Sequence, residues 1–353
     1  MKRERDEDAD VRGRNATHLA SVNRFEADKR ADFDEAAHRY TISVEGVPHV
    51  VNRSVTSIVG ALFPPFDADA CVEEWFAGWK RNRDKRYVDI IDAFPDDASA
   101  KEEIKKRWKT AGNEPQRLGT LLHLYAEETL NGMQPEKSRF EEVEREVTQL
   151  DTFFDSEFGR GLTPFRTEMT VFYNVGPLVV SAGQIDALYK DSEGNFVIVD
   201  WKRVKAKQKL TPSERGFRGA TGFDAAEGLP DTSFWHYSLQ TSIYNLMLNH
   251  SHGIDAGERM YLVRVHSDRE AYQLIQCADL RERARSALDA EERRLRSGSR
   301  PTIRDFASLL ASAGKRKPSE FEAFVEAVRK LVGKEECDRF LEGGSADSLV
   351  SLL

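Results

Sequence analysis

The chain has 353 residues, with 52 Lys and Arg against 60 Asp and Glu, for a formal net charge of −8. This is room for one large or two small domains and a substantial core, and the acidic balance argues against a protein that coats nucleic acid indiscriminately. No stretch is long and apolar enough to read as a membrane span, and Cys71, Cys277 and Cys337 lie too far apart in sequence to suggest a zinc site or a disulfide framework.

The N-terminal MKRERDEDADVRGR has mixed charge and no apolar run. It reads as a disordered tail over residues 1–33 rather than a secretory signal, so an intracellular, reducing setting is expected. HRYTISVEGVPHVV predicts a hairpin turning at Glu45-Gly46, and Ser54 is placed to cap a short helix that Pro64-Pro65 stops. Residues 68–110 read as charged helix broken at Pro95, followed by an amphipathic helix from Gln116 to Asn131 and another from about Glu136 to Phe158. Three strands come next, Arg166–Tyr173, Leu178–Tyr189 and Phe196–Lys202, then a long polar loop over 204–232. A helix from Phe234 to Asn249, strands at Arg259–His266 and Ala271–Cys277, and a charged helix from Asp279 to Arg296 complete the main body. The order helix, three strands, helix, strand predicts a mixed α/β core with a sheet flanked by helices. Residues 34–300 are expected to form one domain, its core at about 115–280, with 301–353 as a helical C-terminal extension.

The second and third strands carry the chemistry. Asp186 and Asp200 each interrupt an apolar run, and a buried carboxylate costs several kcal/mol unless a cation or donors meet it. Two of them on paired strands suggest a shared hard divalent cation. Strand alternation puts Lys202 on the face of Asp200, with Trp201 on the other. Gly119 and His123 lie four apart on one helix, Gln240 and Tyr244 four apart on another, and Glu168 sits on the strand before the hairpin. From Lys202 to Arg218 there are seven basic residues against the single acid Glu214, so Arg203, Lys205, Lys207 and Lys209 form a plausible phosphate track. A second basic run surrounds Lys80–Arg86 and Lys105–Lys109, and such runs are usually solvated faces.

Taken singly, each feature has an ordinary structural reading. The succession GTLLHLYAE, TEM, GQID, VDWK and LQTSIY resembles the PD-(D/E)XK nuclease superfamily, specifically its RecB-like and viral or phage exonuclease branch, across about residues 115–265. The resemblance implies a restriction-endonuclease-like αβββαβ core, here with helical N-terminal additions and a helical C-terminal tail. It implies a metal-dependent DNA nuclease, most simply an exonuclease leaving 5′-phosphates, acting in DNA processing, recombination or repair. A structure-specific or restriction-like endonuclease on the same fold and a non-catalytic nucleic-acid-binding module are the alternatives. One or two Mg²⁺ or Mn²⁺ ions would be held by Asp186, Asp200 and the Trp201 carbonyl, with His123 and Glu168 as further ligands. Lys202 would act on the attacking water and the transition state; Gln240, Tyr244 and Gly119 would lie against the DNA. The third position is Asp200 rather than the commoner Glu. No iron–sulfur cysteines and no nucleotide-binding Walker motif are present, so unwinding would fall to a partner such as a helicase or single-strand-binding protein.

Overall fold

A computed structural model describes residues 18–35, 37–110 and 113–297. The expected helices beyond Pro301 lie outside the described residues. The chain divides into two compact units, one of Met1–Phe63 and Pro115–Arg293, the other of Pro64–Glu114 and Arg294–Leu353.

The first unit is built on two sheets. Strands β1 (Ala31–Asp34), β2 (Arg39–Val44) and β3 (Val47–Val50) form a small antiparallel sheet. The hairpin turns at Glu45-Gly46 as expected. The segment read as a tail instead supplies, between residues 18 and 34, helix α1 (His18–Val22), a 3₁₀ turn and the edge strand β1, so the N-terminal additions are not only helical. Asp28 ties this segment down: its carboxylate accepts from the Phe25 amide at 2.9 Å and from Arg166 Nη1 at 2.9 Å. Ser54 caps α2 (Val55–Gly60) by accepting from the Ser57 amide at 3.4 Å.

The second unit contains helices α3 (Ala68–Arg81), α4 (Val88–Ala93) and α5 (Asp97–Thr110) around Val72, Phe76, Trp79, Ile90 and Ile104. Its basic run is internally matched. Lys80 meets Asp97 at 2.5 Å, Arg83 Asp92 at 2.7 Å, Lys105 Asp69 at 2.6 Å and Arg107 Asp89 at 3.1 Å. Exposed pairs of this kind contribute little stability, but they leave less positive charge for phosphate than the sequence suggests.

The first unit continues with α6 (Asn113–Leu130), α7 (Glu144–Phe154) and the short α8 (Glu157–Arg160). Five strands then build the main sheet in the order β4 (Thr163–Val175), β5 (Leu178–Lys190), β6 (Phe196–Arg203), β7 (Met260–Val265), β8 (Gln273–Gln276). All neighbours are antiparallel except β6 and β7, which run parallel because helix α9 (Ser233–His252) crosses between them. Helix α10 (Arg281–Arg296) closes the described chain. The fold is thus a mixed α/β sheet flanked by helices in αβββαβ order, a restriction-endonuclease-like core.

Along β6 the alternation is regular. Val197, Val199 and Trp201 pack with α6 and α7, whereas Ile198 joins the core under α9 and α10. On β4 and β5 it is not. Ala187 belongs to the α6 side and Ile185 to the α9 side, although both have odd numbers; Thr167 bonds Asn131 just beyond α6, whereas Met169 packs on the α9 side. The two strands exchange faces at Glu168 and Asp186, and Glu168 has a left-handed backbone with φ of 43°. A non-glycine residue held in that region is strained by about 1–3 kcal/mol, and such strain concentrates at functional sites.

Candidate functional site

The pairs Thr167↔Ala187 and Met169↔Ile185 bracket Glu168 and Asp186, which therefore stand opposite one another. Asp200 lies one position beyond the pair Ala187↔Val199, on the strand next to Asp186. Three carboxylates on three adjacent strands are thus brought to one region of the sheet. His123, from the second half of α6, reaches the same place: its Nδ1 is 3.5 Å from Glu168 Oε1 and 3.7 Å from Asp186 Oδ2. One ligand atom from each of His123, Glu168 and Asp186 lies within 4.8 Å of the others. His123 Nε2 is 3.2 Å from the Trp201 carbonyl oxygen, and the Trp201 amide donates to Asp186 Oδ2 at 2.8 Å. Trp201 itself is buried on the far face against Phe153 and Phe154, as the alternation requires.

Lys202 Nζ is 2.6 Å from Asp200 Oδ2, and it also lies over the Tyr237 ring at 4.8 Å. This ammonium is the one protein group paired with the buried Asp200 Oδ2, among the described residues. Electrostatics follow from this crowding. Burial, and then the Asp186 charge, push Asp200 up to about 6 despite Lys202. Burial also raises Asp186, against the pull of His123 and Lys202. Burial disfavours a charged His123 ring, but Asp186 and Glu168 outweigh it and raise its pKa to about 9. For Lys202, burial is likewise outweighed by Asp200 and Asp186, which hold the ammonium above its ordinary value.

Tyr244 stands on the α9 side of the same region. A Cβ at Gly183 would lie 2.6 Å from Tyr244 Cε1, so the ring packs directly on the bare backbone of the GQID strand. Burial, followed by the Asp200 charge, raises the Tyr244 phenol, and Gln240 Nε2 donates to its hydroxyl at 2.9 Å. Gly119 lies one turn before His123 on α6, and a Cβ there would meet nothing within 4 Å, so no neighbour in the protein requires a glycine. Arg203 departs from the sequence expectation. The alternation that points Lys202 toward Tyr237 turns Arg203 to the other face, where its Nε donates to Glu146 of α7 at 2.8 Å. Glu146 is buried and Arg203 mostly so, and this pairing removes Arg203 from a phosphate track. Lys205, Lys207 and Lys209 are exposed.

Sequence reasoning missed Tyr237, Gly183 and Tyr40. Tyr40 of β2 is raised by burial and then by Glu168 and Asp186, so the small sheet too borders the carboxylates. Gly183 was legible as the first residue of GQID; Tyr237 could be found only by asking which residue four before Thr241 shares the face of Gln240 and Tyr244.

The donor chemistry fits a hard divalent cation. Carboxylate oxygens dominate, three of these acids face only two bases, and an imidazole adds affinity for first-row metals such as Mn²⁺.

Three carboxylates, a histidine and a lysine thus meet across three neighbouring strands of the main sheet. A family model described as the PD-(D/E)XK nuclease superfamily matches residues 70–339, and the chain belongs to that superfamily. Comparison with curated proteins gives no match. Among solved structures, a candidate exonuclease from Eubacterium rectale is similar at 13% identity and a TM-score of 0.29, over 51% of this chain and 65% of that one. The protein SSO0001 is similar at 19% identity and a TM-score of 0.23, over 50% of this chain and 84% of that one. The chain thus spans 65% of the length of the first of these. Among the described residues, no helix is long and apolar enough to cross a membrane.

Proposed function

We propose that the protein is a divalent-metal-dependent deoxyribonuclease of the RecB-like and viral or phage branch, hydrolysing DNA from its ends to leave 5′-phosphates. The observation that carries this reading is the meeting of His123, Glu168 and Asp186 within 4.8 Å beside a buried Asp200 and its Lys202. His123, Glu168, Asp186 and Asp200, with the Trp201 carbonyl, would hold the metal. A cation there would supply Lewis-acid stabilisation of a phosphoryl oxygen and lower the pKa of a coordinated water.

The chain's own residues do the rest. Lys202 is kept protonated by Asp200 and Asp186, so its role is that of a fixed positive charge facing the negative charge that develops on the phosphoryl oxygens. Tyr237 backs the ammonium and limits its freedom, and Gln240 fixes the Tyr244 hydroxyl beside Asp200. Water adds its oxygen to phosphorus as the P–O3′ bond breaks, and its proton ends on the 3′-oxygen. A role in DNA repair or recombination follows from activity at ends.

The test is digestion of end-labelled linear DNA and a covalently closed circle in Mg²⁺, Mn²⁺ or EDTA. Metal-dependent loss of the linear DNA with the circle spared supports the reading. Digestion in EDTA overturns the metal requirement, and cutting of the circle replaces the exonuclease with an endonuclease.

A further inference from the structure

The two strands that carry Glu168 and Asp186 are almost completely covered, and their few uncovered positions lie together. Between Val179 and Tyr189 of β5 every residue is buried except Gln184. Between Arg166 and Phe172 of β4 the exceptions are Glu168 and Thr170. Thr170 and Gln184 are partners in the antiparallel register, two residues from Glu168 and Asp186 respectively. The cover is thus opened over one pair of residues beside the carboxylates, and both members of the pair are polar.

Strand alternation says where this opening faces. Val171 and Ile185 pack on the α9 side, and Gly183 meets the Tyr244 ring there, so Thr170 and Gln184 turn to the opposite face. The next pair on that face toward the hairpin end, Phe172 and Ala182, is fully buried in a core shared with Tyr40, Ile42 and Val44 of β2. In the other direction, beyond the carboxylates, Ala187 is fully buried in the core under α6. Thr170 and Gln184 therefore floor a gap between the small sheet and α6. Tyr40 stands on the small-sheet side, where Glu168 and Asp186 bear on its phenol, and His123 stands on the α6 side.

What fits the gap follows from its chemistry. Gln184 Nε2 donates to the Glu168 carbonyl at 3.4 Å, which orients the amide and leaves a second N–H and the carbonyl oxygen able to bond. Thr170 adds a hydroxyl, which both donates and accepts. The pair is uncharged and has two carboxylates beside it, so a phosphate placed directly over it is repelled. A nucleobase is neutral, and its edge carries the donors and acceptors that an amide matches. A gap one residue pair wide admits a single base, not a duplex.

We propose that Gln184 and Thr170 form a nucleobase contact, which holds an unpaired base next to the scissile phosphate while that phosphate lies toward the carboxylates and Lys202. This rests on the nuclease reading of the site and names the part of the substrate gripped beside it. The contact is separate from the metal ligands, so it acts on binding whether or not a cation is present.

The test compares the full chain with Gln184→Leu and Thr170→Val. Fluorescence anisotropy in EDTA would follow a labelled oligothymidine and an abasic strand of the same length and charge. Wild type is expected to prefer oligothymidine. Each substitution removes one hydrogen-bonding group and is expected to weaken oligothymidine binding about fivefold while leaving the abasic strand unchanged. Thermal melts in EDTA and metal affinity by calorimetry are expected to stay at their wild-type values. No preference in wild type, an equal loss on the two strands, or an unchanged oligothymidine affinity in both variants overturns the proposal. A fall in metal affinity in that last case would make Gln184 a support for Glu168 instead. If the proposal is overturned while metal-dependent cleavage persists, the nuclease reading stands without this contact. If the selective loss is found but no DNA is ever cleaved, the base contact stands and the catalytic reading falls.

Discussion

Two groups of buried charge flank β6, and they differ in how they are closed. On the α7 side Glu146 receives Arg203 Nε at 2.8 Å and the Ser267 amide at 3.0 Å, one acid matched by one base and a main-chain donor. On the other side three acids, Glu168, Asp186 and Asp200, face two bases, His123 and Lys202. Both groups carry the cost of desolvation, but only the first recovers it within the chain. The difference teaches that burial of charge does not mark a site; surplus charge that the fold leaves unbalanced does.

The largest effect should come from the unbalanced side. Lys202→Ala is expected to slow cleavage at least about a hundredfold, because it removes charge opposite the transition state, while DNA binding by anisotropy changes little. A mutant as fast as wild type would mean that the lysine serves only Asp200. Opening the balanced side should instead damage the fold: Glu146→Gln strands Arg203 and is expected to cost about 3 kcal/mol in urea melts, with metal affinity by calorimetry unchanged. Asp186→Asn should do the reverse. Metal affinity falls, yet in EDTA the melting temperature rises by about a few degrees, since a carboxylate whose pKa burial has raised no longer has to stay charged.

A pH series sharpens the same contrast. Asp200 titrates near 6 in the folded protein, above the ordinary carboxylate value of 3.8, so the folded state binds its proton more tightly and metal-free stability falls as pH rises from about 4 to 6. His123 titrates near 9 against an ordinary 6.5; its contribution is complete below 6.5 and is lost as pH rises through 9. Urea melts in EDTA should therefore show a decline between pH 6.5 and 9 in wild type that His123→Gln lacks. Parallel profiles would contradict the charge balance described. The smallest effect is steric. Gly183→Ala drives a methyl to 2.6 Å from the Tyr244 ring and is expected to cost about 1–2 kcal/mol, measured by thermal melts, with a matching loss of cleavage if Tyr244 is held for the reaction.

Much of the fold was legible because its elements carry strong local patterns. The apolar runs of β5 and β6, the four-residue spacing in α6 and α9, and the turn residues at Glu45-Gly46 each point to their element without reference to the rest of the chain. Asp186, Asp200 and Lys202 were legible as a group from strand pairing and alternation, whereas His123 joined them only through the resemblance to the superfamily. Strand β1 was not, since Ala31–Asp34 alternates charged and apolar residues within a charged segment and becomes a strand only by pairing with β2. Arg203 was misread because its partner Glu146 lies on a helix far away in sequence. The ion pairs of Lys80, Arg83, Lys105 and Arg107 likewise join residues that spacing alone does not connect. The central position of Glu168 was hidden by the rule that strand side chains alternate, which the face exchange at that residue breaks.

That exchange makes the middle of β4 and β5 intolerant of changes in length. A residue inserted between Thr167 and Met169, or between Ile185 and Ala187, would turn one half of that strand's side chains into the opposite packed layer while the other half kept its place. The turn at residues 175–178 carries no such penalty. Variation in length among proteins built on this plan should gather at the hairpin end and vanish around Glu168 and Asp186, so the separation between those two residues serves as a ruler for aligning distant chains.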